Sequence, residues 1–174
     1  MPSLYRRLLG PAFDSLPPTL RDFHDVETEW HGRARFRITR GTGPLRYLAA
    51  SAGRLPPAGD DVPLRLRIVA VDGRERWIRH FGRHKLQSLQ WAEDGLLVES
   101  FGALRFGFRL TVEGPALRLE TARAWVLGVP VPGPLAPRGT GLEVGLPEGC
   151  DIKARVEMPG LGFVAQYEGL VVPG

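Results

Sequence analysis

A chain of 174 residues, 43% of them hydrophobic and 24% charged, is long enough to bury one substantial core and too short for two. Its 23 Lys and Arg exceed its 19 Asp and Glu by only four, which argues against nucleic acid as a partner, and the lone Cys150 excludes an intrachain disulfide or a thiolate cluster built within one chain. MPSLYRRLLGPAF lacks the continuous apolar segment of a secretion signal and there is no transmembrane segment in the sequence, so one cytoplasmic domain over 1–174 is expected.

Ser3 is placed to cap a short helix carrying Leu4, Tyr5 and Leu8, stopped by Gly10-Pro11. After Pro17-Pro18, TLRDFHDVE sets Leu20 and Phe23 three apart, a second helical piece that docks on a core. Residues 1–25 therefore read as a helical N-terminal region. From Arg33 to Thr39 the period changes to two: Ala34, Phe36 and Ile38 alternate with arginines and Thr39, as in a half-buried strand. A short helix follows at 44–53 with Leu45, Leu48 and Ala49 on one side, closed by Gly53 and LPPAG.

Between Val62 and Leu127 short alternating runs are joined by tight turns. Leu64, Leu66, Ile68 and Ala70 share one face, and Asp72-Gly73 is a hairpin signal. The next strand puts Glu75, Trp77, Arg79 and Phe81 on one face, with Arg76, Ile78 and His80 on the other. Further strands fall near 84–91 and at Leu96 to Val98. In the next, Leu104, Phe106, Phe108, Leu110 and Val112 alternate with Arg105, Gly107, Arg109 and Thr111; Leu117, Leu119, Thr121, Arg123 and Trp125 read as one continuous alternation after it. The Pro/Gly-rich segment 128–141 reads as a crossing loop. Strands at 142–146, 152–158 and 163–167 then precede a Val171-Val172 tail.

The intervals are too short for repeated crossover helices. The expected fold is mainly β with a minor α component: a strongly curved antiparallel meander or barrel-like sheet with short N-terminal helices. So little helical material leaves the apolar face to be covered by curling the sheet on itself or by setting the N-terminal helices over one opening; the interior is then either filled by side chains or left as an apolar pocket.

The candidate site follows from the interleaving of Glu75 and Arg79 with Trp77 and Phe81. If that face is inward, both charges need partners, and three uses of Arg79 stay open: orienting a ligand, a structural ion pair or cation–π contact, or an ordinary exposed face. Arg123 poses the same question beside Trp125. Together Arg79 and Arg123 are the candidate clamp for an anionic ligand end, with Glu75, Glu99 and Glu120 as alternative partners, while Trp77, Phe106, Phe108 and Trp125 supply apolar contact. His24 and His31 are seven apart, His80 and His84 four apart across a strand turn, and no HExxH is present, so no metal is assigned. His24 with Asp25 reads as a helix-end contact or an acid–base pair. GxSxG, GxGxxG and GxxxxGKS are absent and Cys150 has no histidine nearby in sequence, so no catalytic residues and no cofactor are assigned. Arg6-Arg7 with Leu4, Leu8 and Leu9 is read as packing on the sheet rather than on a membrane.

LYRRLLGPAFDSLPPTLRDFHD at 4–25, GPLRYLAASAGRLPPAGDDVPLRL at 43–66, ERWIRHFG at 75–82, DGLLVESFGALRFGFRL at 94–110 and GVPVPGPLAP at 128–137 resemble the uncharacterised bacterial domain family DUF4166. The resemblance covers nearly the whole chain. It implies an accessory domain that also occurs fused behind reductase-like domains, and it carries over no reaction and no catalytic residue. Two readings result. The first is a non-enzymatic accessory domain binding an apolar or amphiphilic small molecule in a β-lined pocket. The second is a protein-interaction or oligomerisation domain, a homodimer or the companion of a reductase-like partner, with Trp30 or Trp91 as anchors.

Overall fold

The computed structural model describes residues 2–174. Ser3 accepts a hydrogen bond from the Arg6 amide and starts α1 (Leu4–Leu9); a 3-10 turn over Gly10–Ser15 leads to α2 (Pro18–His24), which begins on the expected proline pair. The strands are β1 (Glu29–Arg40), β2 (Gly59–Val71), β3 (Arg74–Phe81), β4 (His84–Glu93), β5 (Leu96–Phe101), β6 (Leu104–Glu113), β7 (Ala116–Val126), β8 (Val129–Pro130), β9 (Arg138–Leu146), β10 (Gly149–Met158) and β11 (Gly162–Pro173). α3 (Pro44–Ala52) lies in the connection from β1 to β2.

All pairings are antiparallel, in the order β6-β5-β4-β3-β2-β1-β11-β10-β9-β7, and β6 pairs again with β7. Ten strands thus close into a barrel, with β8 a two-residue appendage on the end of β7. Closure removes the free edges of so large an all-β sheet. The turn chemistry agrees with the sequence: Asp72 and Gly73 (φ 52° and 72°) and Asp94 and Gly95 (φ 52° and 74°) all adopt the left-handed region, as two-residue type I′ hairpins require.

Alternation then sorts the side chains. Phe36 and Ile38, Leu64, Leu66 and Ile68, Trp77 and Phe81, and Phe106 and Phe108 are buried in the common core, while the arginines between them are exposed or half-buried except Arg79, which is itself buried. One end of the barrel is plugged by the N-terminal helices, from which Tyr5, Phe13, Leu20 and Phe23 are fully buried. Arg6 ties this plug together by ion pairs to Asp14 (2.9 Å) and Asp25 (2.8 Å). Gly145 of β9 admits it: a Cβ there would lie 2.6 Å from Pro17. The opposite end, here the mouth, carries α3, the 82–83 and 102–103 turns and the β7–β9 connection. No helix is long and apolar enough to cross a membrane among the described residues.

Three expectations need correction. β9 starts at Arg138, so residues 138–141 belong to the sheet rather than to a crossing loop. The expected Val171-Val172 tail is the end of β11, paired with Ala34 and Arg33 on one side, Val171 also with Cys150 on the other; a strand between two neighbours satisfies its backbone on both edges. The alternation on β7 breaks. Phe108 pairs with Thr121 but Gly107 with Arg123, so Ala122 is the extra residue of a β-bulge. Past it the parity inverts, Ala124 is buried, and Arg123 and Trp125 turn outward.

Candidate ligand-binding cavity

Inside the barrel, β3, β4 and β5 place polar side chains at positions whose parity faces the core. Arg79 donates to the Ser88 hydroxyl (2.8 Å) and to Glu99 (3.1 Å), Ser88 donates to the same Glu99 oxygen (2.6 Å), and the guanidinium lies 4.8 Å over the Trp77 ring. Burial opposes a charge on Arg79, but the Glu99 carboxylate and the Tyr167 and Tyr5 hydroxyls more than offset it and hold its pKa above the ordinary value. A buried ion pair with every near partner in place is the arrangement that desolvation tolerates.

The helical plug supplies the other half of this layer. Tyr5 donates to Gln90 Oε1 (3.1 Å), and its ring stacks on His24 at 3.8 Å. His24 Nε2 lies 2.5 Å from Glu143 Oε2, while its Nδ1 is buried without a partner among the described residues. Glu75 accepts from the Trp77 indole (3.0 Å), and its Oε1 is likewise buried and unpartnered. Burial pushes the Glu75 carboxyl up to about 7, against the opposing pull of His24, the Trp77 hydrogen bond and Arg7. Burial also raises the Tyr5 and Tyr167 hydroxyls.

Between this polar layer and the mouth lies a cavity of about 90 Å³. One ordered water needs roughly 10–15 Å³ on this scale, so the void takes several waters or a small ligand segment. Its wall is mainly apolar, with Phe36, Leu64, Leu66, Phe81, Phe106 and Phe108, and Leu55 and Phe101 lie toward the mouth; Tyr5, Arg79, Gln90, Glu99, Glu143 and Tyr167 supply the polar atoms. The Tyr167 ring is held by Phe36 and Phe81, and among the described residues its hydroxyl has no hydrogen bond like those that hold Arg79 and Tyr5.

Of the six residues expected at a ligand site, Trp77, Arg79, Phe106 and Phe108 line this one cavity. Arg123 and Trp125 do not. Arg123 is exposed and bonded to Asp94 (2.8 Å), and Trp125 lies outside, with the Arg105 guanidinium 5.7 Å from its ring. The two guanidiniums of the expected anion clamp are therefore on opposite faces of the wall, for the bulge reason given above. Arg76, Arg83 and Lys85 also point away from the interior. His24 pairs with Glu143, not Asp25, whose partner is Arg6.

Tyr5, Gln90, Glu143 and Tyr167 were not singled out from the sequence. The signal for Gln90 is parity, since it lies two residues beyond Ser88 on the inward face of β4; Glu143 lies between Leu142 and Val144, whose alternation marks it as outward until β9 is seen to present that face inward. Trp30 bonds to Asp22 and packs edge-on against Phe23, and Trp91 bonds to Glu93 between Arg74 and Arg105. Both expected interface anchors are half-buried by their own chain. Cys150 is buried beside the Thr19 carbonyl, and burial pushes its thiol up to about 12, away from reactivity. Among the described residues no group of three or more His, Cys, Asp or Glu is arranged to hold a metal ion.

The family described as "Domain of unknown function (DUF4166)" matches residues 16–171. No curated protein and no solved structure matches the chain.

Proposed function

The chain belongs to the DUF4166 family, and we propose that its barrel is a non-enzymatic binding module for a small, mostly apolar molecule with an uncharged polar end. The observation that carries this reading is an apolar cavity closed at one end by a polar layer in which Arg79 is already neutralised by Glu99. An anionic ligand end would meet Glu99 and Glu143 as well as Arg79, and would have to compete with an existing ion pair. A hydroxyl or carbonyl instead meets the free Tyr167 hydroxyl and the Gln90 amide, while Trp77, Phe106 and Phe108 cover the apolar part.

Two measurements test it. Native mass spectrometry of freshly purified protein should show a noncovalent adduct that is lost on denaturation. Ala154, half-buried opposite Tyr167 on the cavity wall, is the position to fill: Ala154→Phe should abolish the adduct while thermal unfolding stays cooperative. Titration with 1-octanol and with octanoate, read by tryptophan fluorescence, should favour the alcohol at least tenfold. Preference for octanoate would overturn the uncharged end, and an absent adduct with neither probe bound would sink the pocket.

A further inference from the structure

We propose that the mouth of the barrel docks on an anionic lipid bilayer surface. The described residues include seven large hydrophobic side chains that are strongly exposed, and six of them are at this end: Leu45, Tyr47 and Leu48 on α3, and Leu127, Val129 and Leu135 on the β7–β9 connection, each 61–80% exposed. The seventh, Val71, is beside the plugged end. The two segments are joined through the turn between β5 and β6. The Ala103 amide donates to the Ala52 carbonyl at the end of α3, and the Leu127 amide donates to the Ala103 carbonyl. The apolar side chains therefore rim one face of the molecule rather than scattering, which is how a surface that meets an apolar phase differs from an ordinary one.

Charge identifies what covers this rim. Arg46, Arg54, Arg83, Lys85 and Arg138 lie on the same connections or at the strand ends beside them, and none is in an ion pair among the described residues. The acids near this end, Asp60, Asp61 and Glu157, face Arg37, Arg35 and Arg155 on the barrel wall. A second copy docked through this face would bring the same unpaired cations together, because a two-fold interface is self-complementary in position and not in charge. An anionic bilayer meets both features: leucines and Tyr47 enter the headgroup boundary while the arginine stems lie along it with their charges at the phosphates. Leu55 and Phe101 are the cavity-lining residues nearest this rim, so the docked face is at the end of the cavity away from the plug, where an amphiphile leaving the bilayer would enter the barrel. That entry route rests on the binding function proposed above; the docking rests on the surface alone.

The test uses the full chain with vesicles of phosphatidylcholine, with and without 30% phosphatidylglycerol (about one lipid in three, enough to set the anionic surface potential), in a flotation assay. The wild type should float with the anionic vesicles at least tenfold more than with the neutral ones. Leu48→Glu with Leu135→Glu should abolish flotation, and Arg54→Glu with Arg83→Glu should remove the anionic preference. All are exposed positions, so unfolding temperatures should stay unchanged. Failure of the wild type to float, flotation untouched by the leucine pair, or a wild-type dimer that this pair dissociates would each overturn the proposal. Ala154→Phe separates the two readings: it should float like the wild type while carrying no adduct.

Discussion

The two ends of this barrel are covered by short helices of similar length that behave in opposite ways. α2, at the plugged end, sends Leu20, Phe23 and His24 into the interior until none is more than 1% exposed. α3, at the mouth, buries only Ala50 and turns Leu45, Tyr47 and Leu48 outward. The difference lies in what each helix faces. α2 arrives beside Gly145, where a missing side chain lets Pro17 and Thr19 approach the sheet, and Arg6 clips the plug shut. α3 is held by backbone-directed bonds instead, from Arg46 to the Leu161 and Thr42 carbonyls and from the Ala103 amide to Ala52. A helix tied down through its edges keeps its apolar face available, and one tied down through its apolar face does not.

The comparison is broken or sharpened most strongly by paired truncations. Phe23→Ala should lower stability by about 3–5 kcal/mol, through lost transfer energy and the cavity left among Trp30, Trp77 and His24, whereas Leu48→Ala should change it by less than about 0.5 kcal/mol. Urea unfolding midpoints measure both, and equal losses would mean that α3 packs as the plug does.

The polar layer at the plugged end makes a pH-dependent prediction. Glu75 has an ordinary value of 4.5 and is raised to about 7 in the fold, with His24 from α2, Arg7 from α1, Glu143 from β9 and its own strand neighbour Trp77 acting on it. The folded state therefore holds a proton that the unfolded chain releases between these values, and stability falls as pH rises through that window. The contribution is fully present below about pH 4.5 and lost above about 7, amounting to about 3 kcal/mol. Glu75→Gln, which keeps an oxygen for the Trp77 indole, should be more stable than wild type by about that amount at pH 8 and nearly equal to it at pH 4. A difference independent of pH would place the ionised carboxylate in the fold.

The smallest effect separates inside from outside on one wall. Arg123→Ala removes an exposed pair with Asp94 and should cost about 0.2–1 kcal/mol, with no change in octanol binding. Loss of octanol binding in this variant would return Arg123 to the site.

Alternation along β2 and β3 made the inward face legible in the sequence, because β2 pairs with β3 without a break from Leu64 to Val71 and the type I′ turn at Asp72-Gly73 keeps their register: Trp77, Arg79 and Phe81 face the core as their spacing implies. The same rule misassigned Arg123 and Trp125, since a bulge depends on how two strands meet and leaves no mark in the alternation of either. Phe106 and Phe108 face inward as their alternation implies because both lie on β6, the strand without the extra residue.

Composition, turn residues and period two thus determined from the sequence that the chain is an antiparallel β-structure with a helical N-terminus, because these are local preferences that each segment satisfies by itself. Closure of ten strands, the bulge on β7, the meeting of His24 with Glu143 across 119 residues and the gathering of six apolar side chains at one mouth were decided only by tertiary structure. They depend on which distant segments become neighbours, and pairing across the barrel sets that.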